Sequence, residues 1–143
     1  MPYWRLFYHI AWSTKEHLPL IVPAWEDDLY DYLWEKATTM ECTPYAINGM
    51  PNHIHMVISV PPELSIDNVI GQLKTSSCQR VNEIPSVNGS FAWQAEYSVL
   101  SFTGKALPTI VEYVENQKKH HAENWLHELM ECIDTTESLS VNP

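Results

Sequence analysis

His53 and His55 stand two residues apart in His53-Ile54-His55-Met56-Val57-Ile58, a run with the apolar, β-branched character of a strand. Side chains at i and i+2 of a strand leave the same face, so the two imidazoles point together while Ile54, Met56 and Ile58 point into a core. Two convergent imidazoles offer half of a divalent-metal site. Tyr113 and Gln117 lie four residues apart in a later segment of helical periodicity, which makes them neighbours on one helix face. A phenol one turn from an amide oxygen supplies a nucleophile and a third ligand. Two imidazoles and one oxygen leave positions free on a hard-to-borderline cation for a substrate phosphate. An enzyme acting on a phosphate compound is the first expectation.

The elements that must position these groups follow from pattern. Residues 3 to 13 alternate bulky side chains and read as a first strand. Leu29, Tyr32, Leu33, Ala37 and Met40 recur at helical spacing from Trp25 to about Met40, behind a carboxylate-rich first turn that suits the helix dipole. Thr43 to Met50 and His53 to Val60 read as a hairpin around Gly49-Met50-Pro51-Asn52. Ile66, Val69, Ile70 and Leu73 mark a second helix from Ser65 to about Val81. Phe91 to Phe102 reads as one bent strand or two short ones, and a third helix runs from about Lys105 to His127, with Pro108 in its first turn. The tail from about residue 134 is polar. This order, β-α-β-β-α-β-α, predicts an α+β fold: a ferredoxin-like antiparallel sheet with helices on one face and an open face carrying the His-x-His site. The third helix is placed to cross that open face.

At 143 residues and 45% hydrophobic content the chain reads as a single domain, residues 1–143, able to bury a core without staples. Cys42, Cys78 and Cys132 are odd in number, far apart and without a C-x-x-C pair, which argues against a disulfide framework and for a reducing, cytoplasmic setting. No stretch approaches the roughly 18 apolar residues of a membrane span, so no membrane partner is expected. The net charge of −10 ordinarily argues against nucleic acid, since phosphate binding is driven by Lys and Arg. Its distribution is uneven. Carboxylates crowd residues 26 to 41 and again Glu123, Glu128, Glu131, Asp134 and Glu137, leaving Lys15, Lys74, Arg80 and Lys118 as candidate phosphate contacts.

Four segments together carry a resemblance: Leu6-Phe7-Tyr8-His9-Ile10-Ala11-Trp12-Ser13-Thr14-Lys15; Ala46-Ile47-Asn48-Gly49-Met50-Pro51-Asn52-His53-Ile54-His55-Met56-Val57; Phe91-Ala92-Trp93-Gln94-Ala95-Glu96-Tyr97; and Val111-Glu112-Tyr113-Val114-Glu115-Asn116-Gln117-Lys118-Lys119-His120-His121. Across about residues 3 to 121 the chain resembles the single-tyrosine HUH transposases of the IS200-like class, including the REP-associated tyrosine transposases. The resemblance implies that His53 and His55 are the metal pair, Gln117 the third ligand and Tyr113 the nucleophile, with Mg²⁺ or Mn²⁺ as cofactor. It implies a homodimer that cleaves and rejoins single-stranded DNA at hairpin-bearing ends through a 5′-phosphotyrosine link. The departure is charge, since the family commonly presents a more basic surface. Two other readings stand beside this one: a domesticated hairpin-binding protein with little or no catalysis, and a ferredoxin-like metal or small-molecule module that uses no nucleic acid.

Overall fold

Strand β1 (Phe7–Ser13) lies inside a four-stranded antiparallel sheet of order β2-β3-β1-β4, in a computed structural model that describes residues 3 to 122 together with Glu131. It pairs with β3 (His53–Ser59) on one side and β4 (Ser98–Phe102) on the other, while β2 (Thr43–Met50) pairs with β3. Helix α1 (Pro23–Thr39) connects β1 to β2, and α2 (Ile66–Asn82) connects β3 to β4. This is the expected split-βαβ arrangement. The expected third helix past Ala122, Trp125 as a core candidate and the polar tail lie outside the described residues. Among the described residues no helix is long and apolar enough to cross a membrane.

Alternation sorts the sheet's side chains. Ile10 and Trp12 of β1 and Ile54, Met56 and Ile58 of β3 are fully buried beneath Leu29, Leu33 and Ala37 of α1 and Val69, Ile70 and Leu73 of α2. The helices are held by local chemistry as well as burial. Pro23 opens α1 at a position where its missing N–H costs nothing, and Ser65 Oγ accepts from the Asn68 amide at 3.2 Å to cap α2. His9, Ala11, His53, His55 and Val57 leave the sheet on the opposite face. That face carries the His-x-His pair as expected, and α3 (Leu107–Glu115) with α4 (Gln117–Ala122) crosses it. Val114, fully buried against Ala46 and Val57, anchors this roof, and burial of such a side chain is worth about 1.5–3 kcal/mol.

The structure corrects three element boundaries. Strand β1 begins at Phe7 rather than at residue 3. The stretch from Phe91 to Tyr97 is not ladder-bonded apart from a lone bridge between Trp93 and Thr14, because α2 side chains claim its backbone. Asn82 Nδ2 donates to the Phe91 carbonyl at 2.9 Å, Asn82 Oδ1 accepts from the Phe91 amide at 2.8 Å, and Lys74 Nζ donates to the carbonyls of Gln94, Ala95 and Glu96. The third helix is two helices, broken at Asn116, where φ is −101° and ψ 23°. Short amides compete with the helix for its own hydrogen bonds. Here Asn116 Nδ2 donates to the Glu112 carbonyl and Asn48 Nδ2, reaching across from β2, to the Glu115 carbonyl, both at 2.9 Å.

Candidate active site

The two imidazoles emerge from adjacent outward positions of β3, and each is steered by a partner at its Nδ1. His53 Nδ1 lies 2.7 Å from Asn52 Oδ1, an acceptor, so this nitrogen carries the proton and Nε2 keeps its lone pair. His55 Nδ1 lies 2.8 Å from His9 Nε2. Both Nε2 atoms therefore face the space beneath α3 and α4. His55 is fully buried and His53 nearly so.

Glu131 stands in that space. Its Oε1 is 3.1 Å from His55 Nε2, 3.4 Å from His53 Nε2 and 3.5 Å from His121 Nε2. Its Oε2 accepts from the Tyr113 hydroxyl at 2.5 Å and from Gln117 Nε2 at 2.8 Å. One carboxylate thus joins the histidine side of the site to the tyrosine side. Tyr113 is set edge-on to His55, ring centroids 6.3 Å apart. Burial lowers the His55 imidazole below its ordinary value, and Glu131 pulls upward without reversing this. Burial alone would raise the Glu131 carboxyl, but the contacts from His53, His55 and Tyr113 together bring it well below the usual carboxylate range. At neutral pH the site therefore holds an ionised Glu131 carboxylate against an uncharged His55 ring.

His53, His55 and Glu131 form a cluster whose ligand atoms lie within 4.8 Å of one another. Its chemistry fits a divalent cation. His53 Nε2 is buried without hydrogen-bond geometry to Glu131, and Gln117 Oε1 is buried with no hydrogen-bond partner among the described residues. Two lone pairs left in this state are costly unless something electropositive faces them. Imidazole nitrogen, carboxylate oxygen and amide oxygen are together a borderline-to-hard donor set.

The four groups expected at the site from sequence, His53, His55, Tyr113 and Gln117, are brought together. Glu131 was not among the expected residues. Its signal was a carboxylate in a crowded acidic stretch, indistinguishable by spacing from Glu128 or Asp134. The four basic residues are elsewhere. Lys74 bonds the Gln94–Glu96 carbonyls, Arg80 lies 5.1 Å over the Tyr32 ring, and Lys15 is exposed at the start of a 3₁₀ turn, Lys15–His17. Lys118 Nζ is 2.9 Å from each of Glu26 Oε2, Asn48 Oδ1 and the Gly49 carbonyl.

Residues 2–117 match the family described as "Transposase IS200 like". The chain is 26% identical over 119 residues to the ISDra2 transposase TnpA of Deinococcus radiodurans, covering 80% of this chain and 85% of that protein. A crystal structure of a candidate transposase from Deinococcus radiodurans has a TM-score of 0.66 at 28% identity, covering 82% of this chain and 95% of the other. A REP-associated tyrosine transposase bound to a REP hairpin shares the fold, with a TM-score of 0.62 at 11% identity over 88% of this chain and 76% of that one.

Proposed function

The chain belongs to the IS200-like transposase family, and from that premise we propose that it cleaves and rejoins single-stranded DNA at hairpin-bearing ends through a 5′-phosphotyrosine intermediate on Tyr113. The observation that carries this reading is the meeting, in one chain, of the Tyr113 hydroxyl with the carboxylate that faces His53 and His55. His53, His55 and Glu131, with Gln117 beside them, are the residues that would hold Mg²⁺ or Mn²⁺. Such a cation supplies charge neutralisation at a nonbridging phosphate oxygen and so lowers the repulsion an attacking oxygen meets.

The remaining work falls to the chain's own groups. An unperturbed phenol has a pKa of about 10, so roughly 0.1% is ionised at pH 7 and the proton must be directed away during attack. Glu131 Oε2 accepts that proton in a hydrogen bond and leaves a phenol lone pair for phosphorus. The carboxyl lies well below its usual range, so it is a weak base and its first task is alignment. The Tyr113 Oη–P bond forms as the P–O3′ bond breaks; the phenol proton leaves along the Glu131 hydrogen bond to solvent, and the departing 3′ oxygen takes up one proton in exchange to become a hydroxyl. Attack by another 3′-hydroxyl reverses the step and releases Tyr113. Because the cut bond's energy is kept in the phosphotyrosine, rejoining needs no further energy source. A homodimer working in the cytoplasm on nucleoid DNA would bring two such ends together.

A second reading, a hairpin-binding protein of little or no catalysis, is favoured by the weak basicity of Glu131, which leaves the Tyr113 proton without a strong acceptor. One experiment separates the two. Hairpin-bearing single-stranded DNA incubated with Mn²⁺ should yield a covalent adduct on a denaturing gel that Tyr113→Phe cannot form. Adduct in the variant would remove Tyr113 from its role, and salt-sensitive binding with no adduct in the parent would favour the second reading.

A further inference from the structure

Behind His53 and His55 lies a further imidazole, that of His9. It sits on β1 opposite Val57, diagonal to His55, and is fully buried. Its Nε2 is 2.8 Å from His55 Nδ1, with the ring centroids 5.0 Å apart and the planes inclined at 31°. We propose that His9 is a positioning residue that holds His55 by its Nδ1 and so presents His55 Nε2 to the metal site. The inference rests on the reading of His55 as a metal ligand.

A histidine binds a cation through a nitrogen that carries no proton, so a ligating Nε2 requires the proton on Nδ1. His55 is fully buried, and an Nδ1–H there without an acceptor would bear the desolvation cost of an unmade hydrogen bond. His9 Nε2 is placed to accept it. Ligating histidines usually donate this proton to a carboxylate, a carbonyl or water, and the partner fixes the tautomer and the ring's aim. An imidazole in that position does the same without adding charge beneath the site.

An imidazole also serves the cation-free arrangement. There His55 Nε2 lies 3.1 Å from Glu131 Oε1, an acceptor, so Nε2 carries the proton and Nδ1 must accept. His9 Nε2 then donates. Between the two arrangements each ring keeps one proton and moves it from Nε2 to Nδ1, and the contact at 2.8 Å stays satisfied in both. An aliphatic side chain at position 9 supports neither.

The test uses the full chain, ¹⁵N-labelled. Without metal, a ¹⁵N–¹⁵N coupling across the hydrogen bond should connect His9 Nε2 with His55 Nδ1, whichever ring donates. Mn²⁺ titration should then give His9→Gln, whose amide reaches the Nε2 position, an affinity within a few-fold of the parent. His9→Leu, or His9→Asn with its shorter amide should Leu not fold, should weaken Mn²⁺ about 10–100-fold. Absence of the coupling in a parent that holds Mn²⁺, or a folded Asn or Leu variant that holds Mn²⁺ as tightly as the parent, would overturn the role of His9 alone. A parent that shows the coupling yet binds no Mn²⁺ would overturn the metal reading, and with it this role.

Discussion

At the scale of single residues the site is a contest between burial and pairing, and acid should expose it. Burial lowers His55, whose ordinary value is 6.5, so below that pH the unfolded chain takes up a proton that the native state refuses. Stability rises with pH wherever the unfolded state binds more protons, by at most about 1.4 kcal/mol per pH unit for each proton. The metal-free protein should therefore hold its stability above about pH 7 and lose it as pH falls through 6.5 toward the lowered native value of His55. Glu131 acts in the same direction lower down. Its carboxyl is depressed from 4.5, so its contribution is whole above that value and fades on further acidification. Thermal unfolding in chelator from pH 8 to 5 should show the first loss, and His55→Gln should flatten it relative to the parent. A parent Tm unchanged between pH 7 and 5.5 would contradict the burial argument.

At the scale of elements, the hairpin that aims the histidines depends on one glycine. A Cβ on Gly49 would lie 2.3 Å from the His53 carbonyl oxygen and 2.8 Å from Ile54 Cα, so β2 and β3 would have to part where the imidazoles emerge. Gly49→Ala should cost about 3 kcal/mol in urea unfolding, the upper end of the usual cost of overpacking. Gly71→Ala is the matched contrast. It lies inside α2 with nothing within 4 Å of the added carbon, and it should stabilise by about 0.4–1 kcal/mol. Periodicity made most of this framework legible: the hairpin, both crossover helices and the face on which His53 and His55 emerge follow from alternation and helical spacing. The break at Asn116 and the short β4 do not, because side chains distant in sequence decide them. Asn48 takes the Glu115 carbonyl, and Asn82 and Lys74 take the backbone before β4. Glu131 escaped for the same reason, since only the fold distinguishes it from its acidic neighbours.

At the scale of the whole molecule, the acidic charge is partly used to seat the tyrosine helix on its own sheet. Glu26, in the first turn of α1, meets Lys118 of α4 at 2.9 Å, and the same ammonium bonds Asn48 Oδ1 and the Gly49 carbonyl at the end of β2. Val114 of α3 is fully buried against Ala46 and Val57, and Tyr113 beside it reaches Glu131. With α4 held by the Lys118 ion pair and its two oxygen contacts and α3 held by the buried Val114, the Tyr113 hydroxyl is delivered within the chain that supplies the histidines. The expected consequence is that Tyr113 serves His53 and His55 of its own subunit. Co-expressed Tyr113→Phe and His55→Ala chains test this, because a mixed dimer acting across subunits retains one whole site, whereas one acting within subunits retains none. No covalent adduct with hairpin-bearing single-stranded DNA should form in the mixture, although the parent forms it. Recovery of adduct would mean that α3 and α4 leave this seat and carry Tyr113 to the partner's histidines, and loosening the seat with Lys118→Ala should then raise the yield further.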